Sequence, residues 1–229
     1  MRKAILALVV LAGATALAID DPSPVVGGDP PGERPAPCAT SNERQGGETI
    51  SEATGIWSLP FSGSGTTNGY ADDYDEQCPN ASTSPDVVYS FRPTEENTAI
   101  TIDLCLSEYD TKVYVYGPNL QLVACNDDTC GVNPPYNRSK ITNLWLPFEE
   151  LHYIVVDGAN GDSGDYEITV ELTLGACCAG SGACELTTEP ECLASGRTWM
   201  GPETVCDPNP CIPTPVDKIN WGVIKGQYR

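Results

Sequence analysis

Ser163 lies in the turn-forming stretch GDSG at 161–164, where its hydroxyl could act as a nucleophile. Acyl transfer by a serine needs a histidine base within hydrogen-bonding reach and an oxyanion hole. The chain has one histidine, His152, at the start of a segment that reads as a strand over 152–158. If 165–172 is the neighbouring strand, His152 lies roughly 20 Å from the turn, at about 3.3 Å of rise per residue. The spacing therefore predicts that this serine is not catalytic.

The glycines around Ser163 have a structural explanation. Gly158, Gly161 and Gly164 are expected to permit positive φ angles in a hairpin connection between the two strands. Glycosidase chemistry is not indicated either, because no pair of carboxyl groups stands out as facing each other across a cleft. We therefore expect a protein that is not an enzyme.

Acidic and amide side chains cluster at another predicted turn, and these residue types favour calcium. Ca²⁺ binds about six to eight oxygens, from carboxylates and carbonyls. Asn126, Asp127 and Asp128 are consecutive, and Asp110 begins a predicted strand whose hairpin partner ends at Cys125. Since the start of one antiparallel strand meets the end of the next, the sequence predicts a Ca²⁺ site at these four Asn and Asp residues. The alternative is that they serve turn geometry and bond to their own backbone.

The chain as a whole is strongly acidic. It has 32 acidic against 12 basic residues, a formal net charge of −20. Nucleic acids and anionic membranes need basic patches, so this balance argues against both as partners. A further acidic turn contains Asp157, Asn160, Asp162 and Asp165, but their spacing does not match an EF-hand loop.

The region 38–174, which must position these side chains, reads as short strands separated by turn residues. The predicted strands cover 86–91, 99–106, 111–117, 120–125, 139–146, 152–158 and 165–172. Apolar and polar side chains alternate in several of them; Val113 and Val115, for example, should lie on the face opposite Tyr114 and Tyr116. This pattern predicts an all-β fold, an antiparallel β-sandwich or jelly roll, with a core of its own.

Four stretches of this region carry a family resemblance: SEYDTKVYVYG, LVACNDDTCG, SKITNLWL and HYIVVDGANGDSGDYEITVEL. Together they resemble the bacterial pre-peptidase C-terminal (PPC) domain, an accessory β-sandwich of secreted proteases and other exported proteins. The strongest parts are the run Tyr-Asp-Thr at 109–111, the run Asn-Asp-Asp at 126–128 and the ending from 153 to 166. Residues 38–85 fit only loosely. The resemblance implies a glycine-rich turn at 158–164.

The N-terminus reads as an export signal. Residues 1–3 are positively charged, 4–17 are apolar, and Ala16-Leu17-Ala18 offers a cleavage site, so 1–18 is predicted to be a signal peptide. The apolar run is shorter than the roughly 20 residues of a membrane span. A proline-rich linker follows at 19–37. We expect a bacterial protein that is secreted, extracellular or associated with the cell surface.

The cysteines fit an oxidising compartment, because the chain has 11 of them, one histidine and no Cys-X-X-Cys pair. Six of them fall within 175–212, a segment too short to fold without additional constraints. Three disulfides, worth about 2–4 kcal/mol each, would supply those constraints, and the sequence leaves their pairing open. The segment resembles a small Gly-Ala-Cys-Cys type module of exported bacterial proteins. Zinc is disfavoured because the segment has no histidine.

The other five cysteines belong to the predicted sandwich, and their odd number leaves at least one outside the intrachain pairs. One set of pairings joins Cys125 to Cys130 and Cys38 to Cys78, with Cys105 left over and buried on a strand. The family resemblance implies a further cysteine near the turn at 117–119, where this chain has Gly-Pro-Asn, so the sequence leaves these pairings open.

The final segment, a tail at 213–229, follows a proline-rich joint. Trp221, Ile224 and Tyr228 are spaced as on one face of a helix, with basic residues nearby. This tail is either a frayed terminus or a docking or sorting signal.

We therefore predict a secreted, non-catalytic binding or adhesion module, stabilised by Ca²⁺, that engages an extracellular polymer or protein. One alternative is a structural subunit of a surface assembly, with the tail as its sorting signal. A hydrolase or a protease inhibitor is a further alternative.

Overall fold

The computed structural model describes residues 45–130 and 137–212. Nine strands form a sandwich: β1 (Thr54–Ile56), β2 (Phe61–Thr66), β3 (Val87–Phe91), β4 (Thr98–Asp103), β5 (Thr111–Tyr116), β6 (Leu122–Asn126), β7 (Lys140–Leu146), β8 (His152–Gly158) and β9 (Asp165–Leu172). A short 3-10 turn at Ile50–Glu52 precedes them. The predicted signal peptide, linker and tail lie outside the described residues.

The strands form two sheets that pack face to face. The five-stranded sheet has the order β1-β3-β8-β5-β6, and the four-stranded sheet has the order β2-β9-β4-β7. Every described pairing in the two sheets is antiparallel except that of β1 with β3, which is parallel. The all-β prediction is confirmed.

All seven strands expected from alternation are present, with shifts at their ends. The predicted strand 99–106 ends early, at Asp103, because the Asp103 carboxylate accepts the backbone N–H of Cys105 at 2.8 Å and turns the chain. β1 and β2 were not predicted. The sequence of β2, FSGSGT, has little strand propensity. It becomes a strand by pairing with β9 from Phe61–Val170 to Thr66–Asp165.

The core between the sheets is largely apolar and contains three buried tyrosines, Tyr89, Tyr109 and Tyr166. Tyr89 of β3 and Tyr166 of β9 are fully buried, and their hydroxyl oxygens lie 2.8 Å apart. The backbone N–H of Gly46 also donates to the Tyr166 oxygen, at 2.8 Å. Buried polar groups are costly without a hydrogen-bond partner, and this bridge between the sheets supplies such partners to the groups that form it.

β5 is covered on both faces, because all six of its residues are buried. Val113 and Val115 face the core between the sheets, whereas Tyr114 and Tyr116 lie in a second apolar cluster on the outer face of the five-stranded sheet. Residues 70–84, which we call the cover segment, lie over this outer face. The valines and tyrosines therefore lie on opposite faces, as alternation predicted, and the cover segment buries the tyrosine face as well.

β8 and β9 do not form the predicted hairpin. β8 pairs with β3 and β5, whereas β9 pairs with β2 and β4, so the connection at 159–164 crosses from one sheet to the other. Packed sheets lie about 10 Å apart, and six residues suffice to span that distance. Two consecutive strands can therefore belong to opposite layers.

The C-terminal module is small and held by disulfides. Its strands are β10 (Gly175–Cys178), β11 (Cys184–Thr187) and β12 (Thr198–Trp199), and its one helix is α1 (Glu189–Ala194). Thr188 and Glu191 form a capping box at the start of α1. The three predicted disulfides are confirmed: Cys177–Cys192, Cys178–Cys211 and Cys184–Cys206. Within the described part of the chain, no helix has the length and apolar character needed to cross a membrane.

The module contacts the sandwich through an ion-pair network. Lys140 of β7 lies 3.1 Å from an Asp103 carboxylate oxygen and also pairs with Glu203. The backbone N–H of Glu203 donates to the carbonyl of Leu174 at 2.9 Å.

Tyr166→Phe tests the bridge between the sheets. The substitution removes one buried hydrogen-bond partner from the Gly46 N–H and one from the Tyr89 hydroxyl, which should cost about 1–3 kcal/mol of unfolding free energy. Urea unfolding measures the change. Tyr153→Phe, at a partly buried tyrosine of β8, is the matched control and should change stability by a few tenths of this amount. Equal stability of the two variants would contradict the proposed role of the bridge.

Candidate metal centre

Three of the four predicted metal ligands lie together at one end of the β5–β6 hairpin. Asp110 immediately precedes β5, and Asp127 and Asp128 immediately follow β6. One carboxylate oxygen from each of the three lies within 4.8 Å of the other two. The spacing suits oxygens that share one divalent cation.

Asn126, the fourth predicted ligand, is used differently. Its side-chain oxygen accepts the backbone N–H of Lys140 at 2.9 Å, and its amide nitrogen donates to the Thr129 hydroxyl. These bonds attach the end of β6 to β7 and shape the turn that carries Asp127 and Asp128. We therefore assign Asn126 a positioning role.

The electrostatics of the cluster favour a positive ion. Oδ1 of Asp110 and Oδ1 of Asp127 are each buried without a hydrogen-bond partner in the described structure. Burial, followed by the charges of Asp127 and Asp128, raises the pKa of Asp110 to about 6. Burial and the charge of Asp128 also raise the pKa of Asp127, although Lys112 opposes this shift. A bound cation would compensate the charge that burial and crowding disfavour.

Two disulfides fix the loop that carries Asp127 and Asp128. Cys125, before the loop, is bonded to Cys78 of the cover segment, and Cys130, after it, is bonded to Cys105 beyond the end of β4. The Ser139 hydroxyl also donates to the carbonyl of Asp127 at 2.8 Å. The acidic loop is thus tied to three other parts of the sandwich.

These pairings correct the prediction that joined Cys125 to Cys130 and Cys38 to Cys78. Cys125 packs in the outer apolar cluster, where Cys78 meets it. Cys105 lies in the turn after β4 and not on a strand, so it can reach Cys130. Cys38 lies outside the described residues. Because Cys105 and Cys130 are bonded to each other, their proximity to Asp103 does not provide thiolates for a metal.

The GDSG stretch lies in the connection between the sheets and contacts the acidic cluster. An Asp162 carboxylate oxygen accepts the backbone N–H of Asp110 at 3.0 Å. The Ser163 hydroxyl donates to the Asn68 side-chain oxygen at 2.9 Å. His152 Nδ1 lies 3.1 Å from the carbonyl oxygen of Glu150, and burial lowers the pKa of this imidazole. The serine and the histidine thus have different partners; the absence of catalysis stays a prediction.

The glycine prediction for this connection is confirmed at one position of three. Gly161 has a φ of +87°, but Gly158 and Gly164 have no positive φ. They are required by close packing, since a Cβ on Gly158 would lie 2.0 Å from the Asp162 carbonyl oxygen, and one on Gly164 would lie 3.1 Å from Tyr109.

A row of charged residues, which sequence reasoning missed, crosses the outer face of the five-stranded sheet. Lys112 of β5 pairs in register with Asp157 of β8, and Asp86 and Asp127 lie one residue beyond the paired ends of β3 and β6. Cross-strand partners point to the same face. Lys112 is 2 % exposed, and Asp86 and Asp157 are 0 % exposed. Strand periodicity had no means of signalling this burial, because the cover segment that causes it is distant in sequence.

Lys112 attaches the cover segment to the sheet. Its ammonium donates to the carbonyl oxygens of Asn80 at 2.5 Å and Glu76 at 3.4 Å, and it lies 5.3 Å from the centre of the Tyr114 ring. Asp157 accepts hydrogen bonds from the Tyr114 hydroxyl at 2.5 Å and the Gly158 N–H at 2.6 Å. The ammonium is therefore buried with both hydrogen-bond acceptors and a compensating charge, as buried ions require.

Asp86 holds the start of the cover segment. One carboxylate oxygen accepts the backbone N–H groups of Asp73 and Tyr74, each at 2.9 Å. The other oxygen is buried without a hydrogen-bond partner in the described structure. Burial raises the pKa of Asp86 to about 8, although the two N–H donors oppose this, and burial raises the pKa of Asp157 to about 7.

Comparison with known proteins yields one structural neighbour to report. No family model matches the sequence, and no curated protein matches it. The chain is similar to the pre-peptidase C-terminal domain of a collagenase from Bacillus anthracis, with 16% identity and a TM-score of 0.32 over 51% of this chain and 90% of that domain. A PPC domain is thus among its structural neighbours. Family membership and the type of the Cys-rich module stay predictions.

The buried carboxyls predict a pH-dependent stability. In the folded protein the pKa is about 8 for Asp86 and about 7 for Asp157, and both values exceed the ordinary aspartate value. The contribution of these two protonated carboxyls to the unfolding free energy is therefore complete below about pH 4 and is lost as the pH rises through 7 and 8. Urea unfolding from about pH 5 to about pH 9 should show a falling unfolding free energy from these groups. Asp86→Asn should make the unfolding free energy depend less steeply on pH. An unchanged pH dependence in this variant would contradict the role given to Asp86.

Removing the disulfide next to the acidic loop should lower both stability and metal affinity. Cys105→Ser with Cys130→Ser opens a loop of 25 residues, worth about 3–4 kcal/mol in the chain-entropy model. Cys184→Ser with Cys206→Ser, which opens a loop of 22 residues in the module, is the matched control. Both pairs of substitutions should destabilise the protein, but only the first should weaken Ca²⁺ binding in calorimetry. Equal Ca²⁺ affinity in the two variants would show that the disulfide does not organise the site.

Proposed function

We propose that this protein is an exported, non-catalytic binding module whose hairpin end is stabilised by Ca²⁺ at Asp110, Asp127 and Asp128. The observation that carries the metal assignment is the group of three carboxylates within 4.8 Å, two of which have buried oxygens without hydrogen-bond partners. Ca²⁺ accepts carboxylates in irregular loops, and backbone carbonyls or water complete its shell of about six to eight oxygens.

Disulfides support the extracellular part of the proposal. The structure contains five of them, and all ten cysteines of its described part are paired. Structural disulfides persist in oxidising environments, which include the outside of the cell. The signal-peptide pattern at 1–18 and the acidic composition agree with this location.

The proposed partner is an extracellular polymer or protein. The two-sheet architecture is a rigid scaffold with loops at both ends, which is the usual arrangement when a sandwich binds a partner. Support for a non-catalytic role comes from Ser163 and His152, whose side chains engage Asn68 and Glu150. The structural-subunit alternative depends on the tail at 213–229, which lies outside the described residues.

Calorimetry with CaCl₂ tests the metal assignment. The wild type should bind one Ca²⁺ with a dissociation constant on the order of 10⁻⁴–10⁻³ M, as extracellular modules do. Asp128→Asn should weaken binding by about tenfold or more, because it removes one of three charged ligands. Ca²⁺ should also raise the melting temperature of the wild type, since a ligand that binds only the folded state stabilises it.

Asp207→Asn is the matched control. It removes the same unit of charge at an exposed aspartate of the module, so it separates a local ligand effect from the change in net charge. This variant should bind Ca²⁺ like the wild type. The absence of both binding heat and a thermal shift in the wild type would rule out the metal site. Equal weakening of Ca²⁺ binding by Asp128→Asn and Asp207→Asn would show that the protein attracts Ca²⁺ only through its net charge.

A further inference from the structure

A small cavity lies at the end of the sandwich away from the acidic cluster. Its volume is about 240 Å³, and its floor includes Phe91, the last residue of β3, and Leu172, the last of β9. In the sheet, Phe91 pairs with His152, whereas Thr111, next to the acidic cluster, pairs with Gly158. The length of β8 thus separates the two sites by roughly 20 Å.

Trp57 forms one wall of this cavity and is 91 % exposed. The side chain lies beside Gly55 of β1, because a Cβ on that glycine would come within 2.6 Å of the indole ring. A tryptophan exposes more apolar area than other side chains and gains most when a ligand covers it. Its position on the wall of a cavity makes it a platform for the face of a ligand.

Polar side chains also line the cavity and are held in place. They include Arg92, Thr94 and Glu95. Arg92 donates to the carbonyl of Glu149, and the Glu149 N–H donates to the carbonyl of Pro93 at 3.0 Å, so the β7–β8 loop supports the rim. A guanidinium has about five N–H donors, so Arg92 keeps others for a ligand.

The charges that line the cavity indicate which class of ligand it can bind. Arg92 and Glu95 contribute one positive and one negative charge, so the lining has no net preference for an ion. The formal charge of −20 on the whole chain repels polyanions. A cavity lined by an aromatic face together with hydrogen-bond donors and acceptors matches a sugar ring, which has an apolar C–H face and hydroxyls at its edge.

We propose that the cavity at Trp57, Arg92 and Glu95 binds one residue of a neutral polysaccharide. Trp57 stacks against the face of the ring, while Arg92 donates to hydroxyl oxygens and Glu95 accepts from hydroxyl hydrogens. The inference rests on the proposed binding function and specifies its partner, but it is independent of Ca²⁺ because the two sites lie at opposite ends of the sandwich.

Calorimetry of the full chain with neutral hexasaccharides tests the proposal. The panel contains cellohexaose, chitohexaose, mannohexaose and maltohexaose, with a hyaluronan oligosaccharide as the acidic comparison and an extended proline-rich peptide as the protein comparison. At least one neutral sugar should bind, and Trp57→Ala should weaken it by about tenfold or more, as expected for an exposed aromatic contact. Glu95→Gln should also weaken it.

Trp145→Ala is the matched control, since Trp145 is a partly exposed tryptophan of β7 that does not line the cavity. This variant should bind the sugar with the affinity of the wild type. The wild type should keep that affinity when EDTA removes Ca²⁺. No binding to any neutral sugar, or equal weakening by the Trp57 and Trp145 variants, overturns the proposal. Binding of only the peptide would also overturn it while leaving the binding function intact. Loss of Ca²⁺ binding in Asp128→Asn without loss of sugar binding supports the independence of the two sites.

Discussion

Lys112 is the buried charge on which the outer half of the sandwich depends. Its ammonium is almost inaccessible, donates to two carbonyls of the cover segment and faces Asp157 on the next strand. Removing one member of a buried charged group costs about 3–5 kcal/mol, because the remaining charge is left uncompensated. Together with the Asp86 carboxylate and the Cys78–Cys125 disulfide, this contact holds the irregular segment at 70–84 on the sheet.

The same face of the sheet connects this buried charge to the proposed metal centre. Asp127 lies one residue beyond the Val113–Asn126 pair, and burial and the charge of Asp128 raise its pKa, although the Lys112 ammonium opposes this shift. The Cys78–Cys125 disulfide joins the cover segment to the strand that ends at the acidic loop. A charge, a disulfide and a hairpin thus act together, and the position of each acidic side chain depends on all three.

The sequence predicted seven of the nine sandwich strands, because most of them are rich in β-branched and aromatic residues and turn residues separate them. It missed β2, whose FSGSGT sequence becomes a strand only by pairing with β9, and it missed the buried outer face of β5. For the candidate site, hairpin geometry brought Asp110, Asp127 and Asp128 together correctly. The roles of Asn126 and Asp162 depend on bonds to other strands, which spacing does not reveal.

The sequence by itself determined the all-β class, the three disulfides of the C-terminal module and the acidic hairpin, because these follow from local alternation, cysteine density and adjacent residues. The tertiary structure alone decided that β8 and β9 belong to different sheets and that Cys105 pairs with Cys130. It also decided that Lys112 is buried. Each of these depends on which surfaces meet in space, and residues far apart in the chain carry no local pattern that records their contact.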